Sequence, residues 1–146
     1  MKKLSLVIVS LIFVFVAPAA LSQKKSKAEK VISVKTIQGR TIGFQMADYQ
    51  HVDIRAKGGR HKSFFIFKPG LSYFLALHKN NQLTYTYEVA DVKIPESDGI
   101  TRVERLVNAK LGDLKFDSWW KDVNSKFTLE QLDNKYGPLV RKYELK

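Results

Sequence analysis

His51, His61 and His78 are the only imidazoles in the chain, and two of them stand where a fold can bring them together. Gly58-Gly59 lies between His51 and His61, so a hairpin turn there sets the two on adjacent strands. His51 and Asp53 are two residues apart and share a strand face. Two imidazoles and a carboxylate are a donor set for zinc-type hydrolysis, so His51, Asp53 and His61 define a metal-dependent hydrolase reading. Nothing in the spacing is diagnostic. HExxH is absent, and a chain without cysteine has no thiolate site. No GxSxG elbow exists, and Ser63 and Ser72 stand in no nucleophile motif. Glu96 and Asp98 sit in a turn-like stretch, and Gly58-Gly59 closes a hairpin where a phosphate cradle would open a helix. The expectation is a protein with no catalytic residue, no metal and no cofactor.

Aromatic and cationic residues offer a different chemistry. Tyr49, His51, Arg55, Arg60, Lys62 and Tyr73 fall on or beside one strand-rich stretch, and Trp119 stands in a later helical segment. Rings on an exposed strand face stack flat ligand groups, while interleaved cations neutralise the charges between them. These seven residues are the candidate ligand-binding set. Tyr85 and Tyr87 alternate with Leu83 and Val89, which assigns them to the core. Trp120 shares a helical stripe with Phe116, Val123 and Phe127 and is expected to face inward. Trp119, about 100° round the same helix, is left as an anchor for a partner.

The elements that must hold these groups lie in residues 31–106. Val31 to Ile37 is rich in β-branched residues, and Thr41 to Phe44 resumes the strand after Gly39. Glycines at 39 and 43 predict a bulge or bend in a long first strand. Gln50 to Ala56 and His61 to Phe67 read as the two arms of a hairpin. Phe64, Phe65, Ile66 and Phe67 in succession need cover on both faces, and the C-terminal helices are the expected cover for the outer one. Leu71 to His78 fits helical and strand spacing alike and is read as a short helix plugging one end. Leu83 to Ile94 alternates, with a change of parity that predicts a bulge near Ala90. Ile100 to Leu106 supplies the last strand. Residues 107–146 are assigned to helices, the second opening on a Thr128/Gln131 capping box and stopping at Gly137-Pro138.

The predicted fold is therefore α+β: a small antiparallel β-barrel followed by C-terminal helices that pack on it. In strand order and in its glycine-interrupted first strand, the stretch from Val31 to Leu106 resembles five-stranded barrels of the OB or SH3-like kind. Such barrels carry many activities, so the resemblance implies a fold and no particular reaction.

The first 22 residues predict a compartment. Lys2 and Lys3 precede an apolar run from Leu4 to Val16, and small residues follow, the layout of a secretory signal peptide. Cleavage sites fit after Ala19 and after Ser22, and the run is shorter than the ~20 residues that span a bilayer. Cleavage after Ser22 leaves 124 of the 146 residues, enough for one core. Residues 23–30 read as a flexible basic lead-in. The chain carries 25 basic and 14 acidic residues, a net +11, and losing Lys2 and Lys3 with the leader leaves +9. Absence of cysteine favours a bacterial periplasmic or secreted protein over a disulfide-stapled extracellular domain. The basic balance points to acidic partners, and export makes nucleic acid a poor candidate. The expected function is a non-enzymatic binding module for an envelope protein or an anionic polysaccharide or lipid. The alternatives are an adaptor or inhibitor acting through its C-terminal helices, and the metal-dependent hydrolase.

Overall fold

The computed structural model describes residues 29–94 and 99–146. The expected leader, the expected lead-in as far as residue 28 and the expected turn-like stretch at 95–98 lie outside the described residues. In chain order the elements are β1 (Lys30–Met46), β2 (Gln50–Ala56), β3 (His61–Ile66), α1 (Leu71–Leu77), β4 (Leu83–Lys93), β5 (Ile100–Leu111), β6 (Leu114–Lys115), α2 (Phe116–Lys126) and α3 (Leu129–Lys142). The protein is α+β. Among the described residues six strands form one sheet in the order β3-β2-β1-β4-β5-β6, with antiparallel ladders between these neighbours. Two parallel residue pairs, Phe65 with Arg105 and Ile66 with Leu106, join β3 to β5 and turn the sheet into a barrel-like ring.

Strand β1 is long because it serves two ladders. Its first half pairs with β4 as far as Gly39, and from Gly39 to Met46 it pairs with β2. The register shifts between Thr41 and Gly43, which puts a bulge beside the second glycine, as the sequence predicts. At the β2–β3 turn, Gly58 and Gly59 take φ of 100° and 87°, the left-handed region a tight hairpin requires. Buried side chains alternate along the hairpin. Phe44, Val52, Ile54, Phe64 and Ile66 point inward, where they meet Leu83, Tyr85, Tyr87 and Leu106 and the α1 residues Leu71, Phe74 and Leu75. Phe116 of α2 and Val140 of α3 complete this cluster, so the C-terminal helices belong to the core.

Four expectations are corrected. Strand β4 stays in continuous register with β5 from Tyr87 to Lys93, so the predicted bulge near Ala90 is absent from β4. The irregularity lies on the opposite strand, between Val31 and Ser33. The parity change arises because β4 buries both faces in turn: Tyr85 and Tyr87 go inward, while Ala90 and Val92 join Val103 in a second cluster outside. Phe65 packs on that outer cluster, so β5 and β4 residues cover it where helices were expected. Strand β5 runs on to Leu111, five residues past its expected end at Leu106, because Tyr85 and Thr84 of β4 still offer partners to Ala109 and Lys110. Helix α3 passes through Gly137-Pro138 without stopping. Proline costs an interior helix about 3 kcal/mol, and burial of Leu132, Tyr136 and Val140 on both sides of it holds the helix together.

Candidate ligand-binding face

Directly opposed residues on neighbouring strands share a face of a sheet. The β1–β2 and β2–β3 ladders therefore sort the outer face into three rows: Arg40–Arg55–His61, Gly43–Asp53–Ser63 and Gln45–His51–Phe65. The first row is cationic and the last carries rings. Four residues of strand separate them, roughly 13 Å.

The ring-bearing end is a packed set. The His51 ring lies 4.1 Å from that of Phe65, centroid to centroid. Tyr49, from the turn between β1 and β2, meets Phe65 and Phe67 edge-on at 6.3 Å and 5.8 Å. Phe65 and Phe67 are nearly parallel at 5.7 Å. His51 Nδ1 sits 2.9 Å from the Tyr49 carbonyl oxygen, which fixes the imidazole and the turn together. Phe67 remains 40% exposed, while Phe65 packs on the buried cluster of Ala90, Val92 and Val103.

At the cationic end, Arg55 Nε donates to His61 Nε2 at 3.3 Å. Arg40 lies directly across from Arg55. Both border a depression of about 480 Å³ whose other walls are Thr41, Ile42, Lys79 and Asn80. Lys79 comes from the turn between α1 and β4, and its ammonium rests 4.8 Å above the ring of Tyr143. Asp53, the acid of the three rows, is turned aside: its Oδ2 accepts from Gln45 Nε2 at 2.7 Å, and its Oδ1 is buried without a partner. Among the described residues no carboxylate pairs with Arg40, Arg55, Arg60 or Lys79. Several acids are engaged elsewhere. Asp91 holds Arg102, Glu104 holds Lys62, Asp117 holds Lys68 and Asp122 holds Lys126. Arg105 shows what such pairing does. Burial works against its charge, yet hydrogen bonds to Glu29 and Glu88 overcome that and keep its pKa above the ordinary value.

The seven candidates separate into four places. Tyr49 and His51 meet at the ring-bearing end. Arg55 and Arg60 stand at and beside the hairpin turn, both exposed. Lys62 is on the inner face, where it donates to the Tyr87 hydroxyl at 3.3 Å and to Glu104 at 3.4 Å. Tyr73 and Trp119 belong to a helical cluster instead. The Tyr73 hydroxyl donates to Asp133 at 3.0 Å, and burial, aided by that bond, pushes its pKa up to about 12. Trp119 is half-buried against Phe74, Phe116, Trp120 and Tyr136. His51, Asp53 and His61 share the outer face but occupy three different rows, roughly 7 Å apart from one to the next. Among the described residues no three His, Asp or Glu side chains converge as metal ligands.

Phe65, Phe67, Arg40 and Lys79 were not among the sequence candidates. The place of Phe65 was recoverable, because a turn that pairs residue 55 with 61 also pairs 51 with 65. Arg40 and Lys79 had no such signal. The bulge beside Gly43 resets the β1–β2 register, and Lys79 reaches the site only through the return of α1 onto β1.

Among the described residues no helix is long and apolar enough to cross a membrane. In comparisons with known proteins, the chain significantly matches no family model, no curated sequence and no solved structure.

Proposed function

We propose that this protein is an exported, non-enzymatic binding module of the cell envelope whose outer β1–β2–β3 face takes an anionic polymer. One observation carries the reading: Arg40 and Arg55, with no carboxylate partner among the described residues, and a set of packed, partly exposed rings occupy opposite ends of one strand face. Like charges set directly across a ladder cost stability, so Arg40 opposite Arg55 is an arrangement that a bound anion would relieve. The rings add affinity by stacking, which tolerates many ligand sequences.

The ring of pairings supports the finer reading of the fold. The cyclic order β1-β2-β3-β5-β4, the parallel β3–β5 contact and the helix between β3 and β4 fit an OB-like barrel better than an SH3-like one. In barrels of that kind the β2–β3 face and the adjoining loops hold oligosaccharides or oligonucleotides. The signal-peptide pattern of residues 1–22 favours a glycan or another envelope polyanion over nucleic acid.

Retention on immobilised polygalacturonate or dextran sulfate tests the proposal. The purified chain without residues 1–22 should bind at about 20 mM salt and elute as salt screens the charges, over a few tenths molar. Phe67→Ala and Tyr49→Ala should weaken retention without altering net charge. Failure to bind either polymer at low salt would sink the reading.

A further inference from the structure

The geometry points to a discrete site for one phosphomonoester group in the depression formed by Arg40, Arg55, Lys79 and Asn80. This deepens the reading of the β1–β2–β3 face as a polyanion surface, and it rests on that reading. The depression differs from a diffuse basic surface in how its cations are held. The β1–β2 ladder sets the backbones of Arg40 and Arg55 side by side. Arg55 is further tethered through Nε to His61, which leaves its terminal nitrogens for a ligand. Lys79 approaches from a separate element and is seated on the Tyr143 ring at 4.8 Å. Tyr143 is in turn fixed by its backbone, whose carbonyl accepts from Phe44 N–H at 3.0 Å. Three cations thus border an open depression of about 480 Å³, with Asn80 beside them and no acid among the described residues that line it.

The number and type of donors choose the ligand class. Guanidinium forks suit carboxylate and phosphate oxygens alike. A carboxylate carries one negative charge, which leaves three cations overcompensated. A phosphomonoester carries about 1.5 to 2 negative charges at neutral pH and offers three terminal oxygens, one for each cation. Asp53, one row away, is turned aside: its Oδ2 accepts from Gln45 and its Oδ1 is buried. The phosphate is recognised as a group, whether a sugar, a polymer end or a lipid headgroup carries it.

An NMR titration of the isotope-labelled chain with glucose 6-phosphate tests this, with glucose and galacturonate as comparison ligands. The expected result is saturable shifts at Arg40, Arg55, Lys79 and Asn80, at least tenfold weaker binding of galacturonate and no response to glucose. The variant R40Q/R55Q should retain its fold, since it relieves a like-charge contact, and should lose at least tenfold in affinity for the sugar phosphate. Shifts that spread without saturation over all the basic surface, or an unchanged response in R40Q/R55Q, overturn the site. Vesicles containing phosphatidic acid identify the source: sedimentation sensitive to R40Q/R55Q assigns a lipid headgroup, and titration without sedimentation assigns a soluble or polymer phosphate, both in support. If the polymer is retained on columns but glucose 6-phosphate shifts nothing, the pocket falls and the wider surface stands. If neither binds, both fall.

Discussion

Thr41 and Tyr85 are buried partners, 3% and 0% exposed, and their hydroxyls satisfy each other at 2.9 Å. Thr41→Val removes the side-chain partner of the Tyr85 hydroxyl, which keeps its contact with the Thr41 backbone, and should cost about 1 kcal/mol in urea unfolding. Tyr85→Phe strands the Thr41 hydroxyl instead. The double variant removes both polar groups, so its loss should be clearly smaller than the sum of the two single losses. Alkali adds a second readout. Burial pushes the Tyr85 phenol up to about 12, against the opposing pull of its bond to Thr41, while an unfolded tyrosine ionises near 10. The unfolded state then gives up its proton first. Stability from this group is complete below about pH 10 and declines as pH rises toward about 12, by on the order of 2 to 3 kcal/mol. Urea midpoints across that range should fall more steeply in the wild type than in Tyr85→Phe; equal slopes would contradict the assignment. Tyr85 was legible as core because it alternates with Leu83 and Tyr87. Thr41 was not legible as its partner, since two bulges in β1 separate sequence spacing from register.

Helix α1 shows the same division between pattern and context. Its seven residues are too few to hold a helix in water, and it has no side-chain cap at its start. Burial of Leu71, Phe74 and Leu75 sustains it, and these residues were equally compatible with a strand until the neighbouring elements were known. What aims the helix is Gly70. Its φ is 77°, and the Trp120 ring lies where a Cβ would project. Gly70→Ala therefore combines a left-handed backbone penalty of about 1 to 2 kcal/mol with expulsion of the indole. A total loss above about 2 kcal/mol is expected in thermal or urea unfolding, with a red shift of tryptophan emission as Trp120 moves toward water. Unchanged emission with unchanged stability would show that the turn can relax past the ring. In α3 the sequence erred for a related reason. Gly137-Pro138 reads locally as a stop, but Tyr136 and Val140 are anchored on either side of it. The capping box at Thr128 and Gln131, which depends only on neighbours three residues apart, was read correctly.

The end of the described chain closes on its first strand, and this joins stability to the proposed site. Leu145 N–H donates to the Phe44 carbonyl at 2.8 Å, Phe44 N–H donates to the Tyr143 carbonyl at 3.0 Å, and Glu144 lies opposite Phe44 as a parallel bridge. Leu145 and the Tyr143 carbonyl crowd the face of Gly43, where a side chain would not fit. The tail therefore occupies the edge of β1 opposite β2, beyond the point where β4 ends its pairing at Gly39. Removing residues 143–146 bares that edge, opens the fully buried Phe44 and takes away the ring that seats Lys79. Two backbone hydrogen bonds and the lost apolar cover together predict a loss of about 2 to 4 kcal/mol. An uncovered edge also templates pairing with another chain, so the truncated protein should associate as its concentration rises. Light scattering over a concentration series reads the association, and the sugar-phosphate titration reads the site, where affinity should fall with Arg40 and Arg55 intact. Glu144→Ala is the control, because Glu144 is joined to β1 through its backbone and the substitution should change neither property. A truncated chain that stays monomeric, unfolds at the wild-type midpoint and binds glucose 6-phosphate as before would mean that the tail neither closes the sheet nor builds the pocket.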